Sequence, residues 1–443
     1  MEALIENIIS YLLIFIMLFF IFFYYLKRNK RKSEETSVKI NKAKEFGLYE
    51  PVSLHPVVNP DICIGSGACI KACPEKDILG LVNGKAQTVN ASRCVGHGAC
   101  FHACPVQAIS LCIGTEKRGV ELPHVSKEFE TSIPGIYIAG ELGGMGLIKN
   151  AVEQGRQAVE YFVKKLVRSP EAKYDLIIVG AGPAGISASL TAAKNNLKFV
   201  TLEQDSLGGT VFSFPRAKVV MTSPMNLPLF GKVKLNQTTK SQLLELWQDV
   251  LSRNKISINE QEKVLMIEKY NNYFSIKTNF ESYTSNGVLL AIGRRGSPRK
   301  LGIPGEDKEK VYYRLLEPEL IHNNDVLVIG GGDSAIESAM LLADEGNRVT
   351  LSYRGENFSR IKPMNLEKIT KYSESKKISL ILNSTVVQIN DDDVLIKTGK
   401  DGEVSLKNDL VYIFAGGELP TKFLEQIGIK ITKKFGDAIL KHN

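Results

Sequence analysis

The residues of this 443-residue chain best suited to metal or redox chemistry are its seven cysteines, and all of them fall between Cys63 and Cys112. Six belong to an internal repeat of period 31, CIGSGACIKACPE from Cys63 and CVGHGACFHACPV from Cys94, each of the form C-x5-C-x3-C-P. Thiolates at short fixed spacing suit a soft metal centre, and structural disulfides are the weaker reading for a chain whose body is expected in a reducing compartment. Gly65, Gly67, Gly96 and Gly98 lie between the first two cysteines of each copy. There, glycine's tolerance of tight backbone conformations lets a loop wrap closely around a cofactor. Cys112, in the apolar run AISLCI, reads as a buried strand residue, and His102 as solvent-facing.

Over about residues 56–112 this repeat resembles the two-cluster ferredoxin family, whose ligand run is C-x2-C-x2-C-x3-C-P with the fourth cysteine serving the other cluster. Against that run, Ser66 and His97 stand where the second cysteine would be. The resemblance implies crossed ligation, with Cys63, Cys69 and Cys104 on one iron–sulfur cluster and Cys94, Cys100 and Cys73 on the other. Three thiolates per site suit a 3Fe-4S cluster, or a 4Fe-4S cluster whose last iron takes Ser66, His97, water or a small ligand. Ser66 reads more readily as a loop hydroxyl than as a ligand, and His97 as either. Two other outcomes stay open: repeats that keep the fold without metal, and zinc held by mixed cysteine and histidine ligands.

A second kind of chemistry is written in glycines. YDLIIVGAGPAGISASLTAAKNNLKFVTLE, from Tyr174, has a strand, a glycine turn, a helix and a second strand ending in an acid. Gly180 allows the tight turn, Gly182 lets a pyrophosphate approach the helix N-terminus, with Pro183 and Ala184 opening the helix, and Gly185 permits close helix–strand packing. Glu203 is placed to accept hydrogen bonds from an adenosine ribose. About 150 residues later, NDVLVIGGGDSAIESAMLLADEGNRVTLSYR repeats the pattern with Gly330, Gly332, Asp333, Ser334 and Ala335. Two such units resemble the two-dinucleotide-binding-domain flavoproteins of the thioredoxin reductase type, which implies FAD on the first and NAD(P)H on the second. The second unit's strand ends at Tyr353 and Arg354 instead of an acid, so Arg354 favours NADPH over NADH through a 2′-phosphate. The family's usual second arginine is Gly355 here, with Arg360 as a compensating candidate.

Thioredoxin reductase itself carries a C-x-x-C just before its second fingerprint, and the matching stretch here, YYRLLEPELIHNNDVLVIGGG, has no cysteine. FSFPRAKVVMTS and LSYRGENFSRIKP resemble bacillithiol-disulfide-reductase-like relatives, which also lack that pair. The family's flavin-closing segment, T-x-x-P-G-[IVF]-[YF]-A-A-G-D and a helix, does not follow Phe414. It is matched instead before the first fingerprint by ETSIPGIYIAGELGGMGLIKNAVEQGRQAVEYFVKKL, so a circular permutation is expected. The resemblance places Gly140 and Glu141 at the flavin hydroxyls, with a helix from near Gly146 turning its amides to the pyrimidine edge, where charge builds on reduction. Trp247 reads as a helix core residue.

The elements that must position these groups begin with Ile8–Leu26, an uncharged apolar run just long enough to cross a bilayer core. KRNKRK follows, the excess expected on a cytoplasmic flank. These five charges supply most of the formal +8, so the basic balance reports topology and anionic lipid, not nucleic acid. The expected fold is α/β: two Rossmann-like domains, a small α+β ferredoxin-like module and one transmembrane helix. The expected boundaries are 7–26 for the span, 27–54 for a basic flank and linker, and 55–112 for the iron–sulfur module. They continue with 113–168 for the permuted closing segment, 172–297 for FAD, 298–402 for NAD(P)H and 403–443 for a return into the FAD domain.

The expected function is an oxidoreductase on the cytoplasmic membrane, body facing the cytoplasm, passing electrons between NAD(P)H, FAD and two clusters to or from an unnamed acceptor or donor. A homodimer is implied by the family resemblance. Two rival functions are a flavin reductase of a small disulfide or other soluble substrate with a structural ferredoxin module, and a membrane-tethered redox sensor.

Overall fold

The computed structural model describes residues 2–442 apart from 46–48, 52, 76, 95, 97, 144–145, 214–218, 222–223, 236, 295, 297, 359–360 and 400–401. The chain divides into two compact units, Met1–Val120 with Lys434–Asn443, and Glu121–Lys433.

The first unit opens with helix α1 (Glu2–Glu45). Its side chains from Tyr11 to Leu26 are exposed, and by length and composition it is the one described helix able to cross a membrane, a test that signal sequences also pass. The segment 27–54, expected as flank and linker, is helical through Glu45. The reason lies in burial at helical spacing. Thr36 abuts Gly80, and Ile40 packs with Val82 of the antiparallel hairpin Leu79–Val82/Lys85–Thr88 and with Val89 just after it. Lys39 adds an ion pair to Asp77 at 2.7 Å, and the Asn83 amide donates to the Ser33 hydroxyl at 2.9 Å.

Strands Leu54–Val58 and Ile109–Ile113 pair antiparallel with Leu54 opposite Ile113, and each repeat contributes a short helix, α2 (Ala68–Ala72) and α3 (Ala99–Ala103). Strand Asp437–Leu440 adds to the other edge of Ile109–Ile113, with Ala438 opposite Cys112, which is buried. This corrects the expected return of 403–443 into the FAD domain, because the last ten residues belong to the cysteine-bearing unit. Residues 402–413 also lie elsewhere, in the second nucleotide-binding fold. Only the stretch around α9 (Thr421–Gln426) rejoins the first core, through Leu424, Ile427 and Ile429.

In the second unit, one sheet runs Val264–Lys269, Phe274–Thr278, Ser282–Leu290, Tyr174–Val179 and Phe199–Leu202. Ile136–Ile138 joins it in parallel beside Val288–Leu290, although it precedes every other strand of the sheet in the chain. Helices α4 (Ile148–Lys165) and α5 (Pro183–Lys194) pack on one another over this sheet. Helix α6 (Lys240–Arg253) starts at a capping box of Thr239 and Gln242 and carries Trp247, which is fully buried. The second sheet is all parallel, in the order Val311–Tyr312, Leu410–Ile413, Asp325–Ile329, Arg348–Ser352 and Ile378–Ile381. It is flanked by α7 (Asp333–Asp344) and α8 (Pro363–Glu374). Buried Val, Leu and Ile from both faces fill the core, as a covered parallel sheet requires.

Candidate functional site

In the cysteine-bearing unit, Gly65, Gly67, Gly96 and Gly98 all adopt positive φ, between 68° and 79°. A Cβ on Gly65 would lie 1.9 Å from the Gly84 carbonyl oxygen, so the loop before α2 tolerates only glycine there. The folded loops bring Cys63, Cys69 and Cys104 around a single cavity also lined by Ser66 and Ala86. Amides point at these sulfurs, from Ala86 to Cys63 Sγ at 3.4 Å and from Ala108 to Cys104 Sγ at 3.2 Å. Cys94, Cys100 and Cys73 lie within electrostatic reach of one another, with Cys69 also close enough to act on Cys100. Burial pushes the Cys94 thiol up to about 11 and the Cys100 thiol up to about 12, and in each case Cys73 adds to the rise. The rise at Cys69 has burial first, then Cys104 and Cys63 among its causes.

The first cavity thus joins the two repeats, with Cys63 and Cys69 from one and Cys104 from the other. Among the described residues no three donors converge on one point for a single ion. Thiols set around a cavity fit a cluster, which spans a wider gap than one ion. Ser66 lines the first cavity, its Oγ accepting from the Ala68 amide at 3.4 Å. His97 lies outside the described residues. His102 is exposed on α3.

In the other unit, Gly180 follows strand Tyr174–Val179 with φ 105°, where a Cβ would meet the Ala291 carbonyl at 2.5 Å. A Cβ on Gly185 would sit 1.8 Å from the Gly180 oxygen, so helix and turn interlock. Gly182, by contrast, has open space where its Cβ would stand, at the N-cap of α5, which is what a pyrophosphate site needs. Glu203 is buried, and its two oxygens accept from the Ala181 amide at 2.7 Å and the Asp205 amide at 3.0 Å. Burial raises its carboxyl above the usual carboxylate range against the pull of those amides. A carboxylate has further lone pairs for ribose hydroxyls.

Gly140, φ 89°, lies two residues after the parallel strand Ile136–Ile138, donates its amide to Gln154 Oε1 at 2.8 Å, and has the Ala184 Cβ nearest to where its own Cβ would stand. Glu141 follows in a 3₁₀ turn. The early closing segment therefore lies at the carboxyl edge of the same strands that carry the first glycine turn.

The second fingerprint shows the same division of labour. Gly330 is hemmed in by Phe414 and Ala335, while Gly332, at the N-cap of α7, has open space. Asp333 does not line that opening freely. Its Oδ1 accepts from the Lys362 amide at 2.9 Å and Asn365 Nδ2 at 2.7 Å, tying α7 to α8. Ser334 and the buried Ala335 follow in the first turn. The Tyr353 ring stacks on Phe358 and fills the space a Cβ on Gly331 or Gly355 would need. Arg354 is exposed and makes no ion pair among the described residues, and Arg360 lies outside them.

The description "Pyridine nucleotide-disulphide oxidoreductase" matches residues 177–441, and "4Fe-4S dicluster domain" matches residues 55–105. The chain belongs to the pyridine nucleotide-disulphide oxidoreductase family. Among its relatives, the bacilliredoxin reductase of Bacillus subtilis (strain 168) is 30% identical over 265 residues, 59% of this chain and 82% of that protein. A ferredoxin–NADP reductase of Ignicoccus hospitalis is 28% identical over 268 residues, covering 59% and 83%. The solved bacillithiol disulfide reductase from Staphylococcus aureus superposes with a TM-score of 0.51 at 28% identity, over 59% of this chain and 82% of that one. This protein is thus an oxidoreductase of the FAD/NAD(P)H type with a 4Fe-4S ferredoxin domain.

Two residues of the family fold here escaped the sequence reading. Gln154, one helical turn and a half into α4, holds the Gly140 amide. Arg294, after strand Ser282–Leu290, is held below its ordinary value by burial, with Glu141 as the opposing attraction. The stretch LLAIGRRG carried a signal for the arginine, whereas nothing local marks the glutamine. A larger cavity lined by Asp325, Arg348 and Asn408 lies at the amino ends of the second sheet's strands, opposite the Gly330–Ala335 loop. Its arginine is already paired with Asp325 at 2.5 Å, and it is not the nucleotide site.

Proposed function

We propose that this protein is a membrane-anchored oxidoreductase, facing the cytoplasm, that moves electrons between NADPH and an external acceptor by way of FAD and two iron–sulfur clusters. When bound, FAD would take the electron pair of one hydride and release it as single electrons, the unit in which clusters carry charge. Gly180, Gly182, Pro183, Ala184 and Gly185 would hold the FAD pyrophosphate, Glu203 its adenosine ribose, and Gly140 with Glu141 its flavin-side hydroxyls. Gly330, Gly332, Ser334 and Ala335 would hold the nicotinamide dinucleotide, and Arg354 supplies the cation for a 2′-phosphate. Asp333 acts beside them as a positioning residue through α8. Cys63, Cys69 and Cys104 would ligate one cluster and Cys94, Cys100 and Cys73 the other, with amide donors to sulfur favouring the more negative, reduced form.

The observation that carries this reading is the coexistence of two open glycine cradles with two crossed thiol sets, in a chain whose every cysteine lies outside the flavin-type fold. Such a fold has no dithiol of its own to receive electrons. Anaerobic NADPH titration followed by optical and paramagnetic spectroscopy tests it: cluster signals should change as the flavin bleaches. Full flavin reduction with intact clusters left oxidised would refute the wiring.

Likeness to the bacilliredoxin reductase supports a second reading, reduction of a small disulfide at the flavin. Turnover of such a disulfide by protein stripped of iron would favour it.

A further inference from the structure

The cysteine-bearing unit has an orientation with respect to α1 that the helix itself measures. Leu26, the last residue of the apolar run, precedes Ser33 by seven residues, or about 10 Å of uninterrupted helix. That interval is occupied by the lysines and arginines of KRNKRK, suited to the headgroup layer. Ser33 is where the hairpin first meets the helix, through the Asn83 amide. Lys39 meets Asp77 about 9 Å farther along. The hairpin therefore points its tip, Asn83–Gly84, toward the apolar end of α1.

Gly84 at that tip packs on Gly65, in the loop bearing Cys63, and the Lys85 ammonium donates to the Cys63 carbonyl at 2.6 Å. Cys73, of the other thiol set, is attached beyond Asp77, at the far end of the hairpin. Flanking Cys63, Ile62 is 48% exposed and Ile64 is 65% exposed, and Ile64 also lines the cavity of the first thiol set. Bulky aliphatic side chains left exposed beside a redox site, in a loop held at the hairpin tip that points toward the apolar anchor, fit an apolar phase better than water.

We infer that the Cys63/Cys69/Cys104 site is the membrane-facing port of the protein, that Ile62 and Ile64 rest in the lipid interface, and that electrons leave there to a lipid-soluble quinone. This rests on the anchor and electron-transfer readings above. Per turnover NADPH gives up a hydride, the quinone gains two electrons and two protons, and one proton comes from solution: NADPH + H⁺ + quinone → NADP⁺ + quinol. A quinone suits the port because it resides in the bilayer and accepts electrons one at a time.

The test uses the full chain in nanodiscs containing lipids brominated near the headgroup. Tryptophan is introduced as Ile64→Trp or, as a control at an exposed position of α1 about 18 Å beyond Leu26, Val38→Trp. Trp247 is fully buried and gives a constant background. Iron and sulfide contents matching the parent certify each variant. Strong quenching at position 64 with none at 38 is expected, and equal quenching, or none at 64 in protein that co-purifies with nanodiscs, overturns the port. Protein that stays out of the nanodisc fraction overturns the anchor reading instead. A second variant inserts seven helix-forming residues after Lys30, raising the unit by about 10 Å while nearly preserving its facing. NADPH should still bleach its flavin while quinol formation in the bilayer is lost. Undiminished quinol formation, or a parent protein that reduces only a co-reconstituted membrane redox protein and no quinone, overturns the proposal.

Discussion

Replacing Gly155 by alanine should weaken flavin retention although the residue sits far from either fingerprint in sequence. Gly155 lies in the middle of α4, and a Cβ there would stand 2.1 Å from the Ala184 carbonyl oxygen and 3.1 Å from the Ala184 Cα. Ordinary contact begins at 3.4 Å, and the obstructing atoms are backbone, so no rotamer change relieves the overlap. Helix α4 must retreat by about an ångström from the first turn of α5, where Gly182 opens the pyrophosphate site. Overpacking of this kind costs about 3 kcal/mol at the upper end of its usual range, and the better helix propensity of alanine returns about 1. The net of about 2 kcal/mol corresponds to roughly a thirtyfold shift in equilibrium. Gly143→Ala is the control, because nothing lies within 4 Å of its Cβ position. Denaturant titration of the detergent-solubilised full chain, read by flavin fluorescence, should show an earlier release midpoint for Gly155→Ala alone. A variant with the parent midpoint and full flavin content would refute the claim that α4 is locked to the FAD-type turn through this glycine.

Exchange of Glu203 for glutamine should cost about 1–3 kcal/mol, because one of the two amides now bonded to its carboxylate would face an NH₂ group. Lowered flavin content at purification checks it. Cys104→Ser, although in the second repeat, should deplete the same cluster as Cys69→Ser and spare the Cys73/Cys94/Cys100 site, and paramagnetic spectra that instead pair Cys104 with Cys94 would sink the crossed assignment. Arg354→Ser should raise KM for NADPH about tenfold or more, as expected for a charge-assisted hydrogen bond, and leave KM for NADH near its parent value. Equal effects on both nucleotides would remove Arg354 from the 2′-phosphate.

What was legible in the sequence is what short-range geometry writes there. Gly180 and Gly185 stand at positions where any Cβ meets a backbone oxygen, so their spacing carries the turn on its face. The cysteine repeats are legible for the same reason, since Gly65 and Gly67 must reach positive φ for the loop to close. Longer-range pairings left weaker marks. The residues of α1 after Lys32 look like a polar linker because their inward contacts come mostly from Ser33, Thr36 and Lys39, with Ile40 and Ala43 the buried apolar ones, too sparse an apolar stripe to stand out. The chain's last residues are expected with the FAD domain, since the alternation in FGDAIL fits any half-buried edge and nothing in it names Ile109–Ile113 as the neighbour. Asp333 looked like a nucleotide contact from its place in the fingerprint, while its engagement with Asn365 depends on a helix that begins 30 residues later.

The early position of the closing segment shows how weakly chain order constrains this fold. Strand Ile136–Ile138 keeps a parallel register with Val288–Leu290, and that register is set by its own residues and those of its neighbour, not by which comes first. The contacts that matter at the flavin-type turn are likewise local: Gly140 against Ala184, Gln154 on the Gly140 amide, and Gly155 against the Ala184 carbonyl. Changing which ends are joined alters mainly the loop-closure entropy, which grows by only about 0.6 kcal/mol per doubling of loop length. These three contacts are worth more than that together, since hydrogen bonding the Gly140 amide alone contributes about 1 kcal/mol. The closing segment therefore holds its place by packing, and its chain connection is free to lead elsewhere. Here it leads, through residues 113–130, to the cysteine repeats.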